Sequence, residues 1–150
     1  MHKKTKGSVA ELAVALRLMK EGWQVLIPYG ENTRYDLVVE RDGRFLRVQI
    51  KYVTPKDGVL RVNCRSSNNW SVFQYTSEDI DVIAAYDAQS EQSYFVPVAQ
   101  LRKGAIRLRP LPPKNHQTHQ VRFAREFGEL RDAPGSYLFH SSEMRSSKVL

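Results

Sequence analysis

The chain has very little cysteine: Cys64 is the only one in 150 residues. That excludes an intrachain disulfide framework and fits a reducing compartment. It has no apolar run approaching the ~18 residues a membrane span needs, so no membrane partner is expected. The start, Met1 to Gly7, is basic like that of a signal peptide. The residues after Gly7 are amphipathic and include Glu11, Arg17, Lys20 and Glu21, so no export segment is expected and a cytosolic, soluble protein is. No internal repeat is visible. Acid is missing from two long windows, Gly58–Ser77 and Arg102–Arg125, although the chain as a whole has 16 Asp+Glu.

What is present is base. With 23 Lys+Arg the formal net charge is +7 and the pI about 9.7. An unbalanced basic surface suits a polyanion, nucleic acid or an anionic membrane face. The first window holds Arg61, Asn63, Arg65, Asn68, Asn69 and Gln74, interleaved with Trp70 and Tyr75. The second holds Arg102, Lys103, Arg107, Arg109 and Lys114, then Arg122 and Arg125. Such stretches can be plain solvated faces, but two without one carboxylate point to a surface that follows phosphates. Arg and Asn are also the side chains that bond guanine and adenine edges bidentately, so the first window is expected to read sequence.

The length predicts one domain over residues 1–150. Ser8 and Glu11 have the spacing of a helix-opening capping box. Val9, Leu12, Ala13, Leu16 and Met19 come next at helical spacing, with Gly22 as the stop. Trp23–Ile27 reads as a short strand. Tyr35–Arg41 and Arg44–Val53 flank Asp42-Gly43, a strong hairpin signal. A two-residue turn makes paired numbers sum to 85, which sets Asp36 opposite Gln49. Asp36, Gln49 and Lys51 then share one face, while Leu46, Val48, Ile50 and Tyr52 take the other. Val59–Arg65 and Trp70–Tyr75 are expected to pair as a second hairpin. Ile80–Tyr86, nearly all apolar, suits a central strand buried on both faces, paired with Tyr94–Val98. Ile106–Arg109 reads as a basic strand and Gln120–Phe127 as a short helix.

An acid, then a polar-x-Lys on the next strand, with an upstream helical Glu, is the order of a metal-dependent phosphodiesterase. Such a site must stabilise growing negative charge and deliver a water in line, which Mg²⁺ on a few oxygens can do. A neighbouring lysine orients the water or neutralises the transition state.

Asp36…Gln49-Ile50-Lys51 resembles the PD-(D/E)xK motif of the restriction-endonuclease-like nucleases. Gly7–Val53, with Glu11 and Arg34-Tyr35-Asp36-Leu37-Val38-Val39, is similar to their small branch encoded in bacterial group I introns. Asp81–Tyr86 and Tyr94–Pro97 extend the likeness to about residue 101. The resemblance implies an α/β fold of restriction-endonuclease-like type, a mixed sheet flanked by helices and carrying a DNA-binding β-hairpin. It implies a catalytic core at about 7–101 and a basic DNA-binding or oligomerising part at 102–150. It implies a site-specific double-strand DNA endonuclease promoting intron homing, with Asp36 as main metal ligand, Gln49 at the (D/E) position, Lys51 as the lysine and Glu11 as the helical acid. Mg²⁺ is the implied cofactor, double-stranded DNA the partner, and a tetramer or dimer the assembly. Two positions depart: Tyr35 replaces the motif proline, and Gln49 replaces a carboxylate, which takes a charge from the site. A junction-cutting nuclease, or a DNA-binding protein that has lost cleavage through Gln49, would carry the same core.

Blander roles compete at several positions. Glu11 could simply cap its helix, Asp36 could be a solvated strand acid, and Lys51 a surface lysine. His116 and His119 have ligand-like spacing, but in a loop without partners they read as phosphate contacts or plain surface. Trp70 and Tyr75 read as core or loop anchors rather than base-stacking platforms, and Cys64 as inert. Subunit contact is expected in the tail, with Tyr137, Leu138, Phe139, Met144, Val149 and Leu150.

Overall fold

The computed structural model describes residues 1–67 and 70–131. Its first element, helix α1, spans Lys3–Lys20 and opens on His2, whose Nδ1 accepts from the Lys4 N–H at 3.3 Å. The helix therefore starts before the expected capping box, and Ser8 is not its cap: its hydroxyl donates back to the Lys4 carbonyl at 3.2 Å. Glu11 is thus released from capping and stands mid-helix. The stop is as expected. Gly22 takes φ +89°, its N–H donates to Met19 and the Trp23 N–H to Leu18, which closes the helix with a Schellman motif. The buried stripe is Ala10, Val14 and Leu18, while Leu12, Leu16 and Met19 stand largely exposed. Both stripes satisfy a 3.6 period. The one led by small Ala10 lets the helix axis approach the sheet, so the bulkier expected stripe turns outward.

Five strands form the main sheet: β1 (Gln24–Leu26), β2 (Leu37–Arg41), β3 (Arg44–Val53), β7 (Val82–Asp87) and β8 (Ser93–Pro97). Their order is β1-β2-β3-β7-β8, with β3 and β7 parallel and the other neighbours antiparallel. The class is mixed α/β, as expected. Asp42 and Gly43 both adopt positive φ, as a type I′ hairpin turn requires. The register agrees with the turn: Arg41 pairs Arg44 and Leu37 pairs Val48. Every residue of β7 is buried, which is why its sequence is apolar without alternation.

The parallel β3–β7 pair is pinned by one arginine. Arg47 meets Asp81 through Nε at 3.0 Å and its second amino group at 3.1 Å, and donates to the Glu78 and Ser77 carbonyls at 2.7 Å each. Between β3 and β7 the chain crosses the sheet face opposite α1. It does so with β4 (Leu60–Asn63), β5 (Arg65–Ser67) and β6 (Val72–Gln74), later joined by β9 (Ala105–Leu108).

Here the second hairpin needs correcting. The run 59–65 breaks at Cys64, whose N–H donates to Gly104 and whose carbonyl accepts from Tyr75. β4 pairs with β9 rather than with 70–75, and only β5 and β6 pair as a hairpin. Alternation alone shows that Leu60, Val62 and Cys64 share a buried face; it cannot name the partner strand. The expected helix at 120–127 is also shorter, a single 3₁₀ turn at Ala124–Phe127. The preceding backbone is tied instead to Arg109, which exchanges bonds of 2.8 Å with Arg122 and Ala124.

The sheet thus separates two cores. On one side α1 lays Ala10, Val14 and Leu18 on Val39, Leu46, Val48 and Ile50. On the other, Leu60, Val62, Cys64, Ile106, Leu108 and Phe127 cover Ile83, Ala85 and Val96. Arg17 clamps the layers at one end, donating to the carbonyls of Ser93 and Gly128.

Candidate active site

Asp36 sits one residue before β2, where the ladder ends and its N–H donates to the Val48 carbonyl at 2.9 Å. Gln49 and Lys51 alternate along β3 on the face away from α1, as the register requires. The structure brings these three together. Asp36 Oδ2 accepts from the Ile50 N–H at 2.7 Å and from Gln49 Nε2 at 2.8 Å. Gln49 Nε2 also donates to the Ile50 carbonyl at 3.3 Å. Both groups facing that nitrogen are acceptors, so the carboxamide orientation is chemically fixed and Oε1 points the other way. Among the described residues Asp36 Oδ1 and Gln49 Oε1 make no hydrogen bond. They are two oxygens left over by a local network.

Lys51 lies below, its ammonium 3.4 Å from the Arg65 carbonyl and 5.1 Å from the centre of the Tyr75 ring. Burial holds its pKa below the ordinary lysine range, partly offset by the Asp36 charge. Asp36 is pushed the other way. Burial raises its pKa, against the lowering effects of the Ile50 N–H and of Lys51. Glu11, on the exposed flank of α1, is also raised, by partial burial first and then by the Asp36 charge. The helical acid and the strand acid therefore feel one another across the site.

Two partly desolvated carboxylates that repel, with free oxygens from Asp36 and Gln49, form a donor set that suits a hard divalent cation. Among the described residues no three His, Cys, Asp or Glu side chains cluster so as to hold a metal ion of any kind, and His116 and His119 stay on an exposed loop. The set therefore depends on Gln49 as an oxygen donor.

Next to this site the β4–β9 ribbon carries a cleft of about 550 Å³ lined by Arg61, Arg65, Arg102, Lys103, Arg107 and Arg122. Arg61 and Arg107 stand directly opposite across the ribbon. Like charges so paired repel, and among the described residues none of the six meets a carboxylate. Arg122 is the member that sequence reasoning did not single out as a site residue, although it lies in the second acid-free window. Asn63 lies on the same ribbon but turns its Oδ1 to the Arg65 N–H at 3.0 Å. Gln74 is engaged internally, linking the Arg102 carbonyl and the Gly104 N–H at 3.2 Å each. Arg109 and Lys114 line a separate depression with Asp57 and Gly58. Asn68, Asn69 and the tail residues Tyr137, Leu138, Phe139, Met144, Val149 and Leu150 lie outside the described residues.

Comparison with known proteins bears on this arrangement. The family model described as PD-(D/E)XK endonuclease matches residues 1–130. The fold is similar to the solved structure of a bacterial homing endonuclease, I-Ssp6803I, with a TM-score of 0.68 and 26% identity. That likeness covers 99% of this chain and 97% of that one. Protein 5.3 of Escherichia phage T7 is 40% identical over 48 residues, 32% of this chain and 41% of the phage protein. The match thus spans only about two-fifths of that relative's length.

Proposed function

The chain belongs to the PD-(D/E)XK endonuclease family, and from that premise we propose that it is a Mg²⁺-dependent, site-specific double-strand DNA endonuclease of the homing kind. Its nuclease character and its restriction-endonuclease-like fold come from the family and the neighbouring structure. Metal dependence, site specificity, a bacterial group I intron as its carrier and a cytosolic setting are the finer reading. The observation that carries it is the pairing of the Asp36–Gln49–Lys51 network with an acid-free basic cleft, joined through Arg65.

In this reading Asp36 Oδ1 and Gln49 Oε1, with Glu11, hold the cation. When bound, it supplies positive charge to the phosphodiester oxygens and eases activation of the attacking water. Asp36 Oδ2 stays bonded to Ile50 and Gln49, which keeps both ligating oxygens aimed. Lys51, easier to deprotonate than a surface lysine, holds or passes the proton of the water and faces the charge that develops on phosphorus. In the cleft Arg102 and Lys103 bind backbone phosphates and Arg61 meets base edges, without taking part in the cut.

One chain supplies one such site, and a site in one orientation cuts one strand. Two strands require at least two copies about a two-fold axis, and a tetramer is the assembly we favour. Incubation with Mg²⁺, against EDTA, on a duplex enriched by binding to the protein in Ca²⁺ from a random-sequence pool, and on synthetic four-way junctions, tests the whole reading. Discrete double-strand fragments that need the metal are expected. Cutting confined to junctions, or none on either substrate, overturns it.

A further inference from the structure

Two arginines of the chain make opposite use of their donors. Arg47 uses its guanidinium on Asp81 and on two backbone carbonyls. Arg34, two residues before Asp36, is half-exposed, and among the described residues its guanidinium makes no hydrogen bond. The carboxylate that faces it is Asp79, whose Oδ1 is 3.9 Å from Nε, too far for such a bond. Asp79 is engaged elsewhere, its Oδ2 accepting from the Thr76 N–H at 3.0 Å and from the Thr76 hydroxyl at 3.2 Å. Arg34 is nevertheless held, because it lies over the Phe73 ring at 3.7 Å. That contact fixes the fork and leaves its donors unfilled.

The stem of the β5–β6 hairpin decides what this arginine faces. Ser66 pairs with Phe73 and Arg65 with Gln74, and paired residues share a face. Phe73 meets Tyr75 edge-on at 5.3 Å, and the Lys51 ammonium is 5.1 Å from the centre of the Tyr75 ring. Arg34 and Lys51 thus stand on one aromatic pair, while Arg65 takes the other face of the stem and lines the basic cleft. Tyr75 senses the acid and the arginine together. Burial raises its pKa and the bond with Ser66 lowers it, after which Asp36 raises it and Arg34 lowers it. The Cα atoms of Arg34 and Asp36 are at most ~7 Å apart. A forked cation with open donors, held beside the acid that would carry the metal, matches a phosphate oxygen.

We propose that Arg34 is a further catalytic residue, binding a non-bridging oxygen of the phosphate at the cut, across the hairpin stem from the basic cleft. With Lys51 it opposes the charge that develops there. This rests on the endonuclease reading above and adds to it a group that touches the reacting phosphate.

The probe is the duplex enriched from a random-sequence pool by the wild-type protein in Ca²⁺, with its cut mapped in Mg²⁺. It is remade as a series in which one methylphosphonate at a time removes the charge of one phosphate. In Ca²⁺ the wild type should bind at least about 10-fold more weakly when the phosphate at the cut is neutral, the loss of a charge-assisted hydrogen bond. Arg34→Gln, whose flat amide still covers Phe73, should lose most of that penalty at the cut and keep the wild-type penalty at every other phosphate. Its single-turnover cleavage in Mg²⁺, at saturating protein, should fall about 10²-fold. Arg34→Lys, which keeps the charge without the fork, should recover part of both. Should Arg34→Gln fail to fold, the same series read with Arg34→Lys decides: a penalty reduced at the cut alone supports the contact, and an unchanged one overturns it. A penalty pattern identical to wild type, or one reduced at every phosphate alike, makes Arg34 a brace for Phe73 and overturns the contact while the endonuclease reading stands. An unslowed cut overturns it too. If no duplex is enriched, or the enriched one is not cut, both fall.

Discussion

The two cores on either face of the sheet are built from different kinds of sequence. The helix-side core draws chiefly on residues 10–50, a nearly continuous stretch in which helix, hairpin and edge strand succeed one another. The opposite core gathers Val53, residues 60–64 and Tyr75, then Ile106, Leu108 and Phe127 from far along the chain. The local core carries little chemistry on its own side. The composite one borders Gln49, Lys51 and the basic cleft. Local folding supplies Glu11, Asp36, Gln49 and Lys51, and the basic cleft beside them is laid on by distant segments. The candidate DNA surface therefore depends on the less local half of the fold.

The sharpest test of that division is chemical. Asp36→Ala and Lys51→Ala should each cut cleavage in Mg²⁺ by at least about 10²–10³-fold, while a gel shift finds DNA binding largely kept. Cleavage retained by both would move the active site off the composite face. Next in size are Leu18→Ala and Leu108→Ala, one from each core and both fully buried. Each should cost about 2–5 kcal/mol in denaturant unfolding. Among molecules still folded, only Leu108→Ala should weaken DNA binding, because it loosens the strand beside Arg107 and opposite Arg61. Equal binding by the two variants would break the comparison.

A finer distinction lies within the cleft. Arg61→Ala should cost on the order of 1–3 kcal/mol and relax preference at particular base pairs. Arg102→Ala should weaken all duplexes alike and flatten the salt dependence. Uniform loss from both would make the ribbon a backbone clamp. The smallest effect is on stability. Asp36 and Glu11 both have folded pKa values raised above the ordinary carboxylate range. The folded state then holds its protons more tightly than the unfolded, so stability from these groups is present at low pH and lost as pH rises through the raised values. Asp36→Asn, which keeps an oxygen for Ile50 and Gln49, should melt slightly above wild type at neutral pH. The difference should vanish as pH falls below the ordinary carboxylate value. A lower melting temperature at pH 7 would show that the Asp36 charge is satisfied rather than strained.

How far the sequence can be read respects the same division. The Asp42-Gly43 turn fixes register by arithmetic, so the meeting of Asp36 with Gln49 is legible from residue numbers alone, as are the buried β7 and the placing of Lys51 on the same face as Gln49. The helix is legible and its start is not, because Ser8 and Glu11 satisfy a capping pattern that the lysine-rich turn before them overrides. The partner of β4 escapes such reading, since alternation shows which residues are buried and not what they pair with. The exposure of Trp70 escapes it for a related reason. Aromatic residues default to the interior, and nothing in the sequence around Trp70 says that it lies at the surface while Tyr75 is buried.

The β4–β9 pairing also has a consequence in time. Residues 60–63 find their partner only once residue 108 has been made, which at ~5–20 residues per second is roughly 2–9 s later. Until then Leu60 and Val62 lack the Ile106 and Leu108 that cover them. Arg61 and Arg65 likewise lack the Arg102, Lys103 and Arg107 that complete the cleft. A chain of which residues 105–108 are not yet made thus has no finished surface to present to nucleic acid. The order of synthesis postpones the assembly of a damaging activity, and it does so through nothing more than the distance in sequence between two four-residue strands.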